Sequence, residues 1–160
     1  MQEKRILFAM VIIAGMLIGG MGWQAPSVTA SAAPTSYEAE SGSNTLAGGA
    51  VVAACSTCSG GNKVGYVGNN AGTLQFNGVS AATAGNYTLT IYYLSGAARS
   101  AQLSVNGGSA VTLNFASLVN WTTVGTLTTT VSLNAGSNTL KFSNPTVGSW
   151  APDFDRVTVR

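Results

Sequence analysis

The chain of 160 residues has no histidine, only two cysteines and few charged residues, which make up 8% of the sequence. Histidine is the side chain most often used for proton transfer near neutral pH, and no serine or cysteine here lies in a nucleophile motif. General acid–base and nucleophilic catalysis therefore have few candidate residues. We predict that the protein is not an enzyme.

The scarcity of charge also restricts the partners. Beyond residue 32, five basic residues stand against four acidic ones, which gives a net charge of +1. Nucleic-acid-binding domains concentrate lysine and arginine on one surface, and this chain does not. We therefore expect no nucleic-acid partner, and no basic amphipathic helix suggests binding to a membrane.

The N-terminus has the pattern of a secretory signal peptide over residues 1–32. Lys4 and Arg5 precede an uncharged apolar run at residues 6–21, which is shorter than the roughly 20 residues of a membrane-spanning helix. Ala30-Ser31-Ala32 then matches a cleavage site. We predict a secreted, extracellular protein beginning near Ala33, with an uncleaved N-terminal anchor as the alternative.

Residues 33–160 are long enough for one domain and are dominated by strand signals. Alternating apolar residues bounded by Gly, Asn and Ser predict about nine strands, at residues 37–40, 63–67, 73–76, 87–94, 101–105, 111–115, 122–133, 139–142 and 154–159. An interruption near Thr129 suggests a β-bulge. The pattern predicts an all-β fold, a β-sandwich of the jelly-roll type.

The two cysteines form a Cys-x-x-Cys motif at Cys55 and Cys58. Such a motif suggests redox chemistry or zinc in a cytosolic protein, but zinc needs roughly four ligands, and no histidine or third cysteine is present. In an oxidising compartment we expect a local disulfide, with free thiols as the alternative.

All four acids beyond residue 32 fall in two short motifs, which contain Glu38 with Glu40 and Asp153 with Asp155. Alternate residues of a strand lie about 7 Å apart on the same face. The two carboxylates of each pair would therefore repel each other unless a cation lay between them. Calcium, solvated acid pairs on edge strands, and a glycosidase pair are three interpretations. Spacing alone does not choose between the first two, and strand neighbours do not face each other across a cleft as the third requires.

Several segments together resemble carbohydrate-binding module family 35, with family 6 as a close relative. They span residues 33–160 in order: residues 37–40 (YEAE), 65–69 (GYVGN), 84–89 (AGNYTL), 105–108 (VNGG), 120–125 (NWTTVG), 133–140 (LNAGSNTL) and 151–157 (APDFDRV). The resemblance implies a jelly-roll sandwich with a structural calcium ion, carried over to Glu38, Glu40 and Asp155. A backbone carbonyl near Lys63 is expected to complete that site.

The resemblance also implies a sugar site in the loops at one end of the sandwich. The matching residues are Tyr66, Trp121 and Asp153, with Asn69, Asn70, Asn144 and Trp150 as neighbours. Aromatic faces stack on the apolar C–H patches of sugars, and polar groups orient the hydroxyls. Tyr66 and Trp121 could instead belong to the core, and Arg99 could either decorate a loop or suit an acidic sugar.

The expected function is therefore a secreted, non-catalytic module, monomeric, that binds plant or microbial polysaccharide. Family members normally target an attached hydrolase. We expect a free-standing module here, with a fragment of a hydrolase or half of a split system as the alternatives. Some family members hold a second calcium ion at the sugar site, and Asp153 is the single acid left for one here. The alternative is an extracellular adhesion or structural sandwich without a sugar site.

Overall fold

A computed structural model describes residues 33–160 as a sandwich of two antiparallel sheets. The predicted signal peptide lies outside these residues. One sheet has six strands: β1 (Thr35–Glu38), β3 (Val51–Ala54), β4 (Asn62–Gly65), β6 (Gly85–Leu94), β9 (Gly125–Leu133) and β11 (Asp153–Val159). The other has five: β2 (Thr45–Ala47), β5 (Thr73–Ala81), β7 (Arg99–Val105), β8 (Val111–Phe115) and β10 (Gly136–Ser143).

Helical structure in the described part of the chain is limited to one 3-10 turn at Ser59–Gly61. A search of the same residues for helices that could span a membrane finds none. The predicted all-β sandwich is confirmed, with eleven strands in place of nine.

The core lies between the sheets and is built on a chain of aromatic rings. Phe142 of the five-stranded sheet and Phe154 of the six-stranded sheet have ring centroids 4.6 Å apart. Phe76, Phe115 and Tyr93 extend the contacts on either side. Along β6, fully buried residues such as Leu89 and Ile91 alternate with partly exposed ones. This alternation is the pattern that predicts strands from the sequence. Burying such rings is the main stabilising contribution of the fold.

Two strands, β2 and β3, were not predicted from the sequence. All four residues of β3 are exposed at the edge of the six-stranded sheet, so the alternation that indicates a half-buried strand is absent. The bulge predicted near Thr129 is wrong, because Thr129 pairs with Leu89 in an unbroken register. Thr129 is a polar residue at a half-buried position where the alternating pattern predicts an apolar one. In the sequence this looks like a shift in strand register.

The strand order places two functional regions along β11. Its second half pairs with β1 and its first half pairs with β4, so the end of β1 meets the start of β4. One region is therefore formed by the segments at this junction. The other lies at the loop end, which we define as the end where β4, β6, β8 and β10 finish and where β5, β7, β9 and β11 begin.

Candidate functional site

A cavity of about 420 Å³ opens at the loop end of the sandwich. It receives side chains from both sheets and from the loops that follow β4, β8 and β10. Its lining combines three aromatic, three charged and two small residues: Tyr66, Trp121, Trp150, Lys63, Arg99, Asp153, Ala53 and Gly65. We call this the aromatic cavity.

The aromatic side chains of the cavity present open faces and edges to solvent. Tyr66 is 65% exposed and Trp121 is 39% exposed, so neither belongs to the core. Trp150 stands edge-on to Tyr66, with ring centroids 5.8 Å apart and planes at 88°. Large exposed aromatic rings on a soluble domain are unusual unless they bind something.

Backbone geometry holds Tyr66 in its exposed position. Tyr66 has a φ of 57°, a left-handed conformation that is uncommon for a bulky residue. Gly72 makes this possible, because a Cβ there would overlap the carbonyl oxygen of Tyr66. Residues held in such sparsely populated conformations are often found at functional sites.

Two loops are joined into one unit beneath Tyr66 and Trp150. The backbone N–H of Asn69 donates to the carbonyl of Ser149 at 2.7 Å, and the Asn69 side-chain oxygen accepts from the N–H of Gly148 at 2.7 Å. Asn144 is buried, and its amide donates to the carbonyl of Ser100 at 3.0 Å. Asn69 and Asn144, predicted as sugar neighbours, therefore lie outside the lining of the aromatic cavity and organise its loops.

The polar part of the cavity is an ion pair beside a fixed arginine. Lys63 Nζ lies 2.8 Å from Asp153 Oδ2, and both side chains are largely buried. Arg99 donates from Nη1 to the carbonyl of Ala151 at 2.9 Å, and its guanidinium lies 4.5 Å from the ring centre of Trp121. Of these groups, the sequence analysis identified Asp153 as a sugar contact and left Arg99 as either a loop residue or a contact for an acidic sugar. The Lys63 side chain was not predicted to lie at this site.

A second region lies at the junction of β1 with β4 and contains the other three acids. The hydroxyl of Ser59 donates to Glu38 Oε1 at 2.8 Å, and Gly60 leaves the space that the carboxylate of Glu40 occupies. Asp155 is 2% exposed, and the negative charge of Glu38 acts on it. We call Glu38, Glu40 and Asp155 the acidic cluster.

Buried oxygens of the acidic cluster lack hydrogen-bond partners. These are Glu38 Oε2, Glu40 Oε2 and Asp155 Oδ1. Burial, and then the negative charge of Glu38, raise the pKa of Asp155 to about 6. Burial also raises the pKa of Glu40. Unpaired buried carboxylates are costly, so the cluster has the chemistry of a cation site. Within residues 33–160, however, the three side chains do not form a preassembled set of three metal ligands.

A β-bulge separates the two aspartates of the last strand. The pairing of β11 with β6 shifts register between Phe154 and Arg156, so Asp155 is the extra residue. Asp153 consequently contacts Lys63 in the aromatic cavity, whereas Asp155 lies in the acidic cluster. Alternation alone placed Asp153 and Asp155 on one face of the strand, and that part is wrong because the bulge breaks the alternation. The resemblance had assigned the two residues to different sites, and they do lie in different regions.

The disulfide Cys55–Cys58 is present, as predicted, and its loop contacts both regions. Thr57 Oγ1 donates to the carbonyl of Thr122, next to Trp121, at 2.6 Å. On the other side, the turn at Ser59–Gly61 follows Cys58 directly and contacts the acidic cluster. The loop therefore connects the Trp121 segment to the acidic cluster.

Comparison with known proteins decides the family. A family 35 carbohydrate-binding module from Clostridium thermocellum is 38% identical, with a TM-score of 0.77. The match covers 78% of this chain and 97% of that module. This chain belongs to the carbohydrate-binding modules of family 35. A model described as CBM13-like, the CBM13 domain of an alpha-galactosidase, also matches residues 73–159. Both descriptions name a carbohydrate-binding module, and the match over a whole module supports family 35.

Other relatives of the module are parts of larger enzymes. The exo-beta-1,3-galactanase of Phanerochaete chrysosporium, in a structure with galactose, is 30% identical and has a TM-score of 0.73. The match covers 81% of this chain and 30% of the galactanase chain. A 1,6-alpha-glucosyltransferase from Sporosarcina globispora is 32% identical over 81% of this chain and 11% of its own length. The chain spans about a tenth of the length of the curated relatives it matches.

Proposed function

We propose that the aromatic cavity binds a sugar residue of a poly- or oligosaccharide and that the module catalyses no reaction. The observation that carries the proposal is the convergence of Tyr66, Trp121 and Trp150 around the Lys63–Asp153 pair. The indole and phenol rings offer apolar surfaces to the C–H faces of a pyranose. Asp153 accepts hydrogen bonds from hydroxyl groups, and Lys63 and Arg99 donate them.

The distribution of carboxylates supports a role without catalysis. Glycoside hydrolysis usually needs two carboxyl groups on opposite sides of the scissile bond, about 5 to 10 Å apart. The aromatic cavity is lined by one carboxylate, Asp153, and Lys63 is paired with it. The remaining acids of residues 33–160 form the acidic cluster at the β1–β4 junction. The cavity is therefore equipped to hold a sugar and lacks an acid–base pair.

We further propose that the acidic cluster holds a structural calcium ion. The partnerless buried oxygens on Glu38, Glu40 and Asp155 support this, since calcium takes about six to eight oxygen ligands, often from carboxylates. A bound calcium ion would add positive charge to that of Arg156, whose Nε lies 3.9 Å from Asp155 Oδ2. The side chains would hold the ion, and Ser59 would orient Glu38 through its hydrogen bond.

A glycan array is the direct test of sugar binding. Two relatives are named as an exo-beta-1,3-galactanase and a 1,6-alpha-glucosyltransferase, so beta-1,3-galactans and alpha-1,6-glucans belong on the array with mannans, xylans and uronic acids. We expect retention of at least one class by the wild-type module and its loss in the double variant Tyr66→Ala/Trp121→Ala. Retention that survives in a folded double variant would contradict the site, and binding to no glycan would favour an adhesion or structural role.

Gly96 allows a test that moves Trp121 without removing it. A Cβ at Gly96 would lie 2.5 Å from Trp121 Nε1, so Gly96→Ala should displace the indole. We expect about tenfold weaker glycan binding, equivalent to about 1.4 kcal/mol, with little change in melting temperature. Isothermal titration calorimetry with the best array ligand measures this. Gly42→Ala is the control, since a Cβ there meets nothing within 4 Å; equal affinities of the two variants would contradict the role of Trp121.

The stability of the calcium-free module should depend on pH through Asp155. Its pKa is raised in the folded state from the ordinary 3.8 to about 6, so protonation favours folding. This contribution is complete below pH 3.8 and is lost as pH rises through 6. In EDTA we expect a free energy of unfolding about 1 to 2 kcal/mol higher near pH 5 than near pH 7.5, measured by urea denaturation. The Asp155→Asn variant should lose most of this difference and keep the part due to Glu40, whose pKa burial also raises; the full pH dependence in that variant would contradict the assignment.

A further inference from the structure

A second basin adjoins the aromatic cavity on the side of the five-stranded sheet. It has a volume of about 480 Å³ and is open to solvent. Arg99 and Trp150 line both spaces and form the ridge between them. The two spaces are therefore neighbours that share a wall. We call the second space the polar basin.

The polar basin has polar groups available for a ligand. Ser100 and Asn114 are cross-strand partners on β7 and β8, and Ser149, in the loop after β10, also lines the basin. Among the described residues, these three side chains make no hydrogen bond, in contrast to Asn144, whose amide is used by Ser100 and Thr146. Asn114 is exposed, so its amide can both donate and accept at the surface.

The floor and ridge of the basin are rigid. Phe115 belongs to the core and is 2% exposed, so the basin has a packed aromatic residue beneath it. Arg99 is held by the Ala151 carbonyl and by the ring of Trp121. That contact uses one guanidinium N–H, and a guanidinium has about five N–H donors, so others are available to a ligand on the ridge. A ligand that crosses from one space to the other meets a fixed set of donors.

From this continuity we propose that the polar basin is a second sugar subsite, which takes the residue next to the one held in the aromatic cavity. The inference rests on the proposed function and adds the size of the ligand: an oligosaccharide of at least two residues. The first subsite works mainly by stacking. The second works by hydrogen bonds to hydroxyl groups from Asn114, Ser100 and Ser149, with Arg99 and Trp150 touching both sugar residues.

Asn114→Ala separates the two subsites experimentally. Thr112→Ala is the matched control, because Thr112 is exposed on the same strand and lies outside the basin lining. Calorimetry with two pairs of probes, galactose with beta-1,3-galactotriose and glucose with isomaltotriose, compares one sugar residue with three. For at least one pair, the wild-type module should bind the trisaccharide about tenfold more tightly than the monosaccharide. Asn114→Ala should lose most of that advantage and keep its monosaccharide affinity, whereas Thr112→Ala should match the wild type.

The outcomes distinguish this inference from the function on which it rests. Equal affinity for monosaccharide and trisaccharide, with binding abolished by Trp121→Ala, would overturn the second subsite and leave the first intact. A trisaccharide advantage that persists in Asn114→Ala would overturn the assignment of the subsite to the polar basin. Binding of none of the four probes would overturn both for galactose- and glucose-containing glycans.

Discussion

Trp121→Ala is expected to weaken glycan binding about thirtyfold or more, which corresponds to about 2 kcal/mol. The indole of Trp121 is an accessible apolar face of the aromatic cavity, and the guanidinium of Arg99 lies against it. Truncation removes the stacking surface and leaves Arg99 free to move. Tyr66→Ala should have a similar effect, because the phenol ring is the most exposed aromatic group of the lining.

Affinity electrophoresis or calorimetry with the best ligand from the array would measure these losses. Val111→Ala is a suitable control, since Val111 is an exposed apolar residue that is 56% accessible at the opposite end of the sandwich. All three variants should melt within a few degrees of the wild type, because none removes a core side chain. Wild-type affinity in a folded Trp121→Ala variant would place the sugar elsewhere.

Removal of calcium should lower the melting temperature of the module by about 10 °C, equivalent to about 2 to 3 kcal/mol when calcium had been present at about 100 times its Kd. Without a cation, Glu38 and Glu40 are left with partnerless buried oxygens. Calcium loading should reverse that cost and should hold the end of β1 against the turn at Ser59–Gly61, where Ser59 already donates to Glu38. Differential scanning calorimetry in calcium and in EDTA measures the difference.

Glu38→Gln tests whether the response to EDTA comes from the acidic cluster. The amide keeps the size of the side chain and removes the charge, so the variant should show little response to EDTA. Asp153→Asn is the matched control, because Asp153 lies in the aromatic cavity and should keep the full response. An unchanged melting temperature of the wild type in EDTA, or an equal response of the two variants, would contradict the metal site.

The strands that alternate between buried and exposed residues could be predicted from the sequence alone. β8 has the bounds that the pattern indicates, and β6 differs by two residues at its start. β3 gave no such signal, since an edge strand whose residues are all exposed has no buried face to mark it. The predictable part of the fold is therefore the part that packs against the core.

The candidate site shows a similar limit. Tyr66, Trp121 and Trp150 were singled out by the family resemblance, whereas the residue pattern alone left Tyr66 and Trp121 as possible core residues. The resemblance separated Asp153 from Asp155, but the strand pattern did not, because the extra residue in β11 leaves no periodic signal. The positions of Arg99 and of the polar basin depend on which strands are neighbours, and local sequence does not contain that information.

The central claim is that sugar binds in the aromatic cavity at the loop end. Nuclear magnetic resonance of the isotope-labelled module, titrated with its best array ligand, tests this claim most directly. We predict that the side-chain signals of Trp121 and Trp150 and the backbone signals around Tyr66 and Asp153 shift in a saturable way. Shifts confined to the outer sheet faces or to the opposite end of the sandwich would contradict the account.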